Sequence, residues 1–188
     1  MLNATEIALA NLREALKRFD TYIQLALLAS LLYSALALSE AAPSAQTSLG
    51  FFSLPIQLSR NALRSVLVGA TFVFGMLSGT TLDQIHRALR HLASDRALLV
   101  AACGFPSLAT NVDTLARRLP VLAPPVLIIL ASTPTVWAAE AAAWGGFGLL
   151  AGVVSIPFIF ISSDFRIPLD DGSRYRYVSE QPTPTRRS

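Results

Sequence analysis

The sequence predicts an all-α integral membrane protein: a four-helix transmembrane bundle with an N-terminal amphipathic helix and a cytoplasmic amphipathic connector. Between Leu119 and Ser162 the only charged residue is Glu140, and this run is roughly twice the length needed to cross a ~30 Å hydrocarbon core. Two further apolar stretches lie upstream. The chain is 53% hydrophobic and 14% charged, whereas soluble domains carry about 25% charged residues. These observations predict four spans in one domain, residues 1–163.

The residue pattern of the N-terminal segment predicts an amphipathic helix that continues directly into the first span, residues 22–41. Asn3 and Glu6 have nearly the spacing of a capping box at a helix start, and cationic residues occupy the other faces. An apolar stripe recurs at helical spacing and comprises Ala8, Leu12, Leu16, Phe19 and Ile23. We expect this first part of the helix to lie at the membrane interface.

The next segment predicts a loop and a second span. Phe51-Phe52 and Leu54-Pro55-Ile56 favour a short hairpin against the membrane surface, in which Pro55 requires an edge position. The second span covers residues 62–82.

Residues 83–118 are predicted to form the connector, a basic amphipathic element that rests on the inner surface of the membrane. Its apolar stripe begins within the preceding span and comprises Leu82, Ile85, Leu89 and Leu92. The mostly apolar run 97–109 is too short to cross a bilayer. It is therefore expected to be interfacial, re-entrant, or packed beneath the bundle.

The long apolar run predicts the third and fourth spans, residues 120–138 and 143–162. Pro124 and Pro125 suit a first helical turn, where a missing amide proton has no cost. Pro134 lies deeper and should kink the third span. The tail, residues 164–188, is polar and is expected to be partly disordered.

The distribution of positive charge predicts the orientation. With four spans and cytoplasmic termini, thirteen of the fifteen Lys and Arg residues lie on the cytoplasmic side, and only Arg60 and Arg64 lie outside. This asymmetry follows the positive-inside rule. The Ala-rich and Arg-rich usage suggests a bacterium with GC-rich DNA, and therefore a location in the inner membrane.

Two glycine pairs predict close helix packing. Gly75 lies four positions before Gly79, and Gly148 lies four positions before Gly152. This spacing gives a flat strip on a helix that lets two helix backbones approach closely. The strips predict either a contact with a partner protein or second copy, or packing of the two helices within one chain.

A second group of residues suggests a transport path. Glu140 is the one acid of the long apolar run, and Thr133 and Pro134 interrupt the third span. Acids and broken helices inside membranes mark ion or substrate paths. The competing interpretation places Glu140 in a short outer turn beside water, with a structural kink at Pro134.

Basic residues near the span ends predict contacts with anionic lipid headgroups. The group comprises Arg87, Arg90, Arg117, Arg118, Arg174 and Arg176. Arg174 to Tyr177 also interleaves cations and aromatic rings, as nucleic-acid-binding segments do. Because this segment follows a predicted membrane span, we expect it to contact lipid and not nucleic acid.

The sequence lacks the patterns of an enzyme. His86 and His91 are five residues apart, whereas metal-binding pairs on a helix prefer a spacing of four. No nucleophile elbow or phosphate-binding loop is present, so we expect no cofactor. The predicted function is a non-enzymatic membrane subunit or scaffold acting through helix packing, with a protein partner or a homo-oligomer. The alternative is a small transporter or channel that uses the broken third span and Glu140.

Overall fold

The computed structural model describes residues 4–38, 46–51, 54–92, 105–110, 114–137 and 141–164. These residues form four α-helices: α1 (Ala4–Leu38), α2 (Arg60–Leu92), α3 (Thr114–Trp137) and α4 (Ala141–Asp164). Two short antiparallel strands, β1 (Gln46–Phe51) and β2 (Leu54–Ser59), lie between α1 and α2. A single 3-10 turn, Leu108–Thr110, precedes α3. The predicted helical class is confirmed.

The two strands pair where the sequence favours a hairpin. Gly50 lies opposite Pro55, and Phe51 lies opposite Leu54. In a two-stranded sheet both strands are edges, so the missing amide proton of Pro55 is tolerated there. The placement of this hairpin against a membrane surface stays a prediction.

The main contact of the fold joins α1 to α2 in an antiparallel pair. Leu12, Leu16, Phe19 and Ile23 of α1 are at most 1% exposed, and they share one buried cluster with three α2 residues, Leu82, Ile85 and Leu89. The two apolar stripes that the sequence predicts to rest on the membrane therefore pack on each other. Burying both stripes removes more apolar surface from water than laying each on an interface.

The helices α1 and α2 are longer than a membrane crossing requires. They contain 35 and 33 residues, or about 50 Å each at 1.5 Å per residue, against a hydrocarbon core of about 30 Å. α1 is one continuous helix, as the sequence predicts. Residues 83–92, predicted to belong to a separate connector, continue α2, and residues 114–118 belong to α3. The helix therefore continues past residue 82, and the end of the membrane span at that residue stays a prediction.

The described end of the connector is fixed against α1. Oδ1 of Asp20 accepts hydrogen bonds from the Ser107 hydroxyl at 2.9 Å and from the Leu108 amide at 3.1 Å. The Thr110 hydroxyl donates to the Phe105 carbonyl at 2.6 Å. Ala109 is completely buried in the cluster between α1 and α2. Residues 105–110 are thus packed on the bundle, while residues 97–104 lie outside the described part of the chain.

At the opposite end of the pair, Arg64 caps the C-terminus of α1. Its guanidinium Nη2 donates to the carbonyls of Leu36 at 2.9 Å and Ala37 at 3.3 Å. The last carbonyls of a helix lack partners within the helix, so a cation there both donates hydrogen bonds and favours the helix dipole.

The third helix packs on α1 through hydroxyl groups. The Ser132 hydroxyl donates to the Ile128 carbonyl at 2.7 Å and lies 2.6 Å from the Tyr33 hydroxyl. Because the Ser132 proton is used in the first bond, Tyr33 is the donor in the second. The Ser34 hydroxyl also reaches the Leu127 carbonyl of α3 at 3.3 Å.

The start of α3 differs from the sequence prediction. The helix begins at Thr114, so Pro124 and Pro125 lie in its interior, not in its first turn. Both prolines are buried. Each removes one backbone hydrogen bond from the helix, so the helical conformation here depends on packing.

Substitution of Phe19 by Ala tests the contact between α1 and α2. Phe19 is completely buried, and truncation of a buried Phe costs about 3–5 kcal/mol. We expect a clear loss of stability for Phe19→Ala in SDS titrations of the detergent-solubilised protein followed by circular dichroism. Leu31→Ala is the control, because Leu31 lies on the same helix and is 48% exposed. Equal losses for the two variants would contradict this packing.

Candidate functional site: the groove between α2 and α4

Large apolar side chains are exposed on all four helices. They include Leu28 and Leu32 of α1, Val73 and Met76 of α2, Val126 and Leu130 of α3, and Leu149 and Phe160 of α4. The helical segments Glu6–Leu38 and Asn61–Arg90 are long and apolar enough to span a membrane, and Arg118–Ser132 and Gly146–Ser162 are shorter apolar segments.

The interior of the bundle, by contrast, contains hydroxyl groups that are hydrogen-bonded to backbone carbonyls. Ser78 donates to Phe74 at 2.7 Å and Thr81 donates to Leu77 at 2.7 Å. The other three buried polar residues make the same kind of bond: Ser30, Thr71 and Ser132. Among the described residues no charged side chain is classed as buried. The five buried hydroxyls of the described residues are therefore all hydrogen-bonded.

Gly75 is the point of closest approach between α2 and α4. A Cβ atom at this position would lie 2.8 and 2.9 Å from the ring carbons Cε2 and Cζ of Phe158, and 3.0 Å from Cβ of Pro157. Real Cβ atoms essentially never have neighbours below 3.0 Å. Phe158 is completely buried, so the absence of a side chain at Gly75 is what lets this ring pack against the α2 backbone.

Gly79, one turn further along α2, has free space around it. A Cβ there would meet only Cγ1 of Ile161, at 3.8 Å, which is ordinary contact. The surface between the helices is open at this level and forms a groove of about 520 Å³. Its apolar walls include Gly75, Met76, Gly79, Pro157, Phe160 and Ile161.

One end of this groove is polar. Thr80, Asp83, Gln84 and Arg87 line it there. The Asp83 carboxylate and the Arg87 guanidinium form an ion pair across one helical turn, with both side chains well exposed. The Thr80 hydroxyl donates to the Leu77 carbonyl at 2.9 Å. The groove thus combines an apolar trough with a rim that carries one negative and one positive charge.

The second glycine pair has different surroundings. Gly148 and Gly152 are exposed on α4, and a Cβ at either position would meet nothing within 4 Å. Among the described residues, no other helix lies within 4 Å of a Cβ at these positions. The sequence pattern is the same in both helices, but only the α2 pair contacts another described helix.

The remaining predicted residues are distributed as follows. Thr133 and Pro134 lie in α3, with the backbone helical through both. Arg117 also lies in α3, and Arg87, Arg90 and Arg118 are exposed on the helices that carry them. Glu140, Arg174 and Arg176 lie outside the described residues. Within the described part, no group of three His, Cys, Asp or Glu residues is placed to hold a metal ion.

Sequence analysis missed several residues that organise this region. Pro157 and Phe158 form the tight contact with Gly75, but nothing in their spacing distinguishes them from neighbouring apolar residues. Asp20 did have a signal, because it is an acid that follows the buried Phe19 at the start of a span. An acid in that position needs internal donors, which Ser107 and Leu108 supply.

No protein-family model matches this chain, and no curated protein or solved structure matches it at a significant level.

Alanine at Gly75 and at Gly79 should have opposite effects on stability. The Gly75→Ala methyl overlaps Phe158 and Pro157, and overpacking of this kind costs about 1–3 kcal/mol. The Gly79→Ala methyl has room and gains up to about 1 kcal/mol of helix propensity. We expect thermal unfolding in detergent at a lower temperature for Gly75→Ala than for Gly79→Ala. The same midpoint for both variants would contradict the close approach of α4 at Gly75.

Proposed function

We propose that this chain is an integral membrane protein with four spans that acts without catalysis, as a packing subunit or scaffold. The observation that carries the proposal is the exposure of large apolar side chains on all four helices. Soluble monomers rarely expose apolar patches beyond a few hundred Å², and larger patches mark contact with lipid or another protein.

The four-span arrangement is supported by helix length. α3 and α4 contain 24 residues each, which is about 36 Å of helix and enough to cross a ~30 Å core. The charge asymmetry favours cytoplasmic termini, and the proposed location is the inner membrane of a bacterium. Arg87, Arg90 and Arg118, which are exposed, would contact anionic headgroups, as would Arg117, Arg174 and Arg176.

The proposed contact surface for a protein partner or a second copy is the outer face of α4. Gly148 and Gly152 lie on it, and no described residue comes within 4 Å of a Cβ at either position. Leu149, Val153 and Ile156 are 72%, 48% and 48% exposed. Without a hydrophobic drive between helices in lipid, association depends on close backbone approach at small residues. An exposed glycine pair framed by large side chains provides such an approach.

The packing role is favoured over transport by the nature of the buried polar groups. In the described part of the chain they are hydroxyls, and each donates to a carbonyl of its own helix. A transport path needs polar groups that are available to a solute. Transport along a path formed by Glu140, Thr133 and Pro134 is the alternative function.

Leucine substitution on the exposed glycine pair tests the proposed contact. The double variant Gly148→Leu with Gly152→Leu should lose any stoichiometric partner or second copy of the chain, because the added side chains prevent close approach. The measurement is subunit stoichiometry by light scattering and mass spectrometry after purification in mild detergent. Gly69→Leu is the control, since Gly69 lies on α2, away from this face, and a Cβ there also has nothing within 4 Å. An assembly that survives the double variant would contradict a contact through this face.

Reporter fusions test the orientation. A reporter that is active only in the cytoplasm, fused after Ser188, should be active, and one fused within residues 39–45 should be inactive. The reason is that this arrangement keeps thirteen of fifteen cations inside. An inactive fusion after Ser188 together with an active fusion within residues 39–45 would exclude the four-span orientation.

A further inference from the structure

We propose that the groove between α2 and α4 binds one glycerophospholipid, with an acyl chain along the Gly75–Gly79 trough and an ethanolamine headgroup on Asp83 and Arg87. The inference rests on the proposed insertion into a membrane. It goes beyond general contact with lipid because it assigns one site, one leaflet and one headgroup chemistry.

The dimensions of the groove fit a lipid lying parallel to the helices. From Gly75 to Arg87 the α2 axis rises about 18 Å, while half of the hydrocarbon core is about 15 Å thick. The groove therefore extends from the level of the bilayer centre to the level of the headgroups. Its volume of about 520 Å³ lies within the range of roughly 300–1,000 Å³ that small-molecule sites occupy.

The apolar part of the groove is formed by the two α2 glycines. Gly75 lets Phe158 approach the α2 backbone, so that α4 is held close. Gly79 then leaves a space, with Ile161 at 3.8 Å from where a Cβ would be. Met76 and Phe160 flank this space, and both are largely exposed. A trough of this form accepts a flexible hydrocarbon chain and offers nothing to a polar solute.

The rim of the groove matches a zwitterionic headgroup. Asp83 and Arg87 are one turn apart, which places their Cβ atoms about 5–6 Å from each other. A guanidinium binds a phosphate through parallel hydrogen bonds, and the Gln84 amide adds a further donor. A carboxylate beside it accepts from an ammonium group. Because the lining carries one acid and one base, a headgroup with phosphate and ammonium fits it better than a purely anionic one.

The predicted orientation assigns this lipid to the cytoplasmic leaflet. The polar end of the groove is the part of α2 that approaches Arg90, beyond the span predicted at 62–82. The positive-inside rule places that end in the cytoplasm. The trough from Thr80 back to Gly75 then lies in the cytoplasmic half of the bilayer.

Native mass spectrometry of the purified full chain in mild detergent tests the proposal. Phosphatidylethanolamine, phosphatidylcholine and phosphatidylglycerol are titrated separately, and the dissociation constant of the first bound lipid is measured. We expect phosphatidylethanolamine to bind about 10-fold more tightly than phosphatidylcholine, because choline has no N–H to donate to Asp83 and a charge-assisted hydrogen bond is lost. Asp83→Asn should abolish this preference. Arg87→Gln should weaken binding of both lipids, because both carry the phosphate.

The controls come from the same protein. Glu14→Gln and Arg18→Gln alter the equivalent exposed ion pair on α1, which is also four residues apart, and should leave lipid binding unchanged. Gly79→Leu fills the trough and should weaken the binding of all three lipids. Gly69→Leu, on the same helix with nothing within 4 Å, should not.

Three results would overturn the proposal. Equal binding of phosphatidylethanolamine and phosphatidylcholine, or tighter binding of phosphatidylglycerol, would exclude the amine headgroup. Equal effects of the groove variants and their controls would exclude the site. Alkaline carbonate extraction of membranes distinguishes a failure of the lipid site from a failure of the proposed membrane insertion. If the protein stays in the membrane but does not prefer phosphatidylethanolamine, only the lipid site is overturned. If the protein is released, the lipid site and the membrane insertion are both overturned.

Discussion

The contact between α1 and α2 is the interaction on which the rest of the structure depends. It joins two apolar stripes at one end, through Phe19 and Ile85 among others, and an arginine cap at the other, where Arg64 binds the last carbonyls of α1. The remaining elements complete the same cluster. Phe158 and Ile161 of α4, Val121 of α3 and Ala109 of the connector all bury against it. Loss of this pair would leave those side chains without a surface to cover.

A second constraint acts on the polar groups inside the bundle, which need hydrogen-bond partners there. With apolar residues outside, polar groups inside must find partners within the bundle. The Ser78 and Thr81 hydroxyls donate hydrogen bonds to carbonyls in the preceding turn of α2. The Tyr33 hydroxyl instead forms a hydrogen bond with Ser132 and so connects α1 to α3. Interhelical bonds of this kind contribute about 0.6 kcal/mol on average in membrane bundles. Because this contribution is small, the main effect of the Tyr33–Ser132 bond is to fix which faces of α1 and α3 meet.

The sequence predicted the helices, the hairpin and both apolar stripes, because periodicity is a local property of the chain. It did not predict that the two stripes pack on each other, since a stripe shows that a face is buried and not what covers it. The connector that it predicted from residue 83 begins as a continuation of α2, which extends to Leu92. The polar residues after Leu82 mark where the helix leaves the predicted span. A helix ends only where capping or backbone geometry ends it.

The two glycine pairs show why the groove was beyond sequence analysis. Both have the same spacing, yet Gly75 lies under the ring of Phe158 while Gly148 and Gly152 face outward. The difference arises from the side of α4 that meets α2. Pro157, Phe158 and Ile161 form that side, so the glycines of α4, which lie on another side, stay uncovered. One face of α4 therefore packs on α2, and the glycine face on the opposite side is not covered by any described residue.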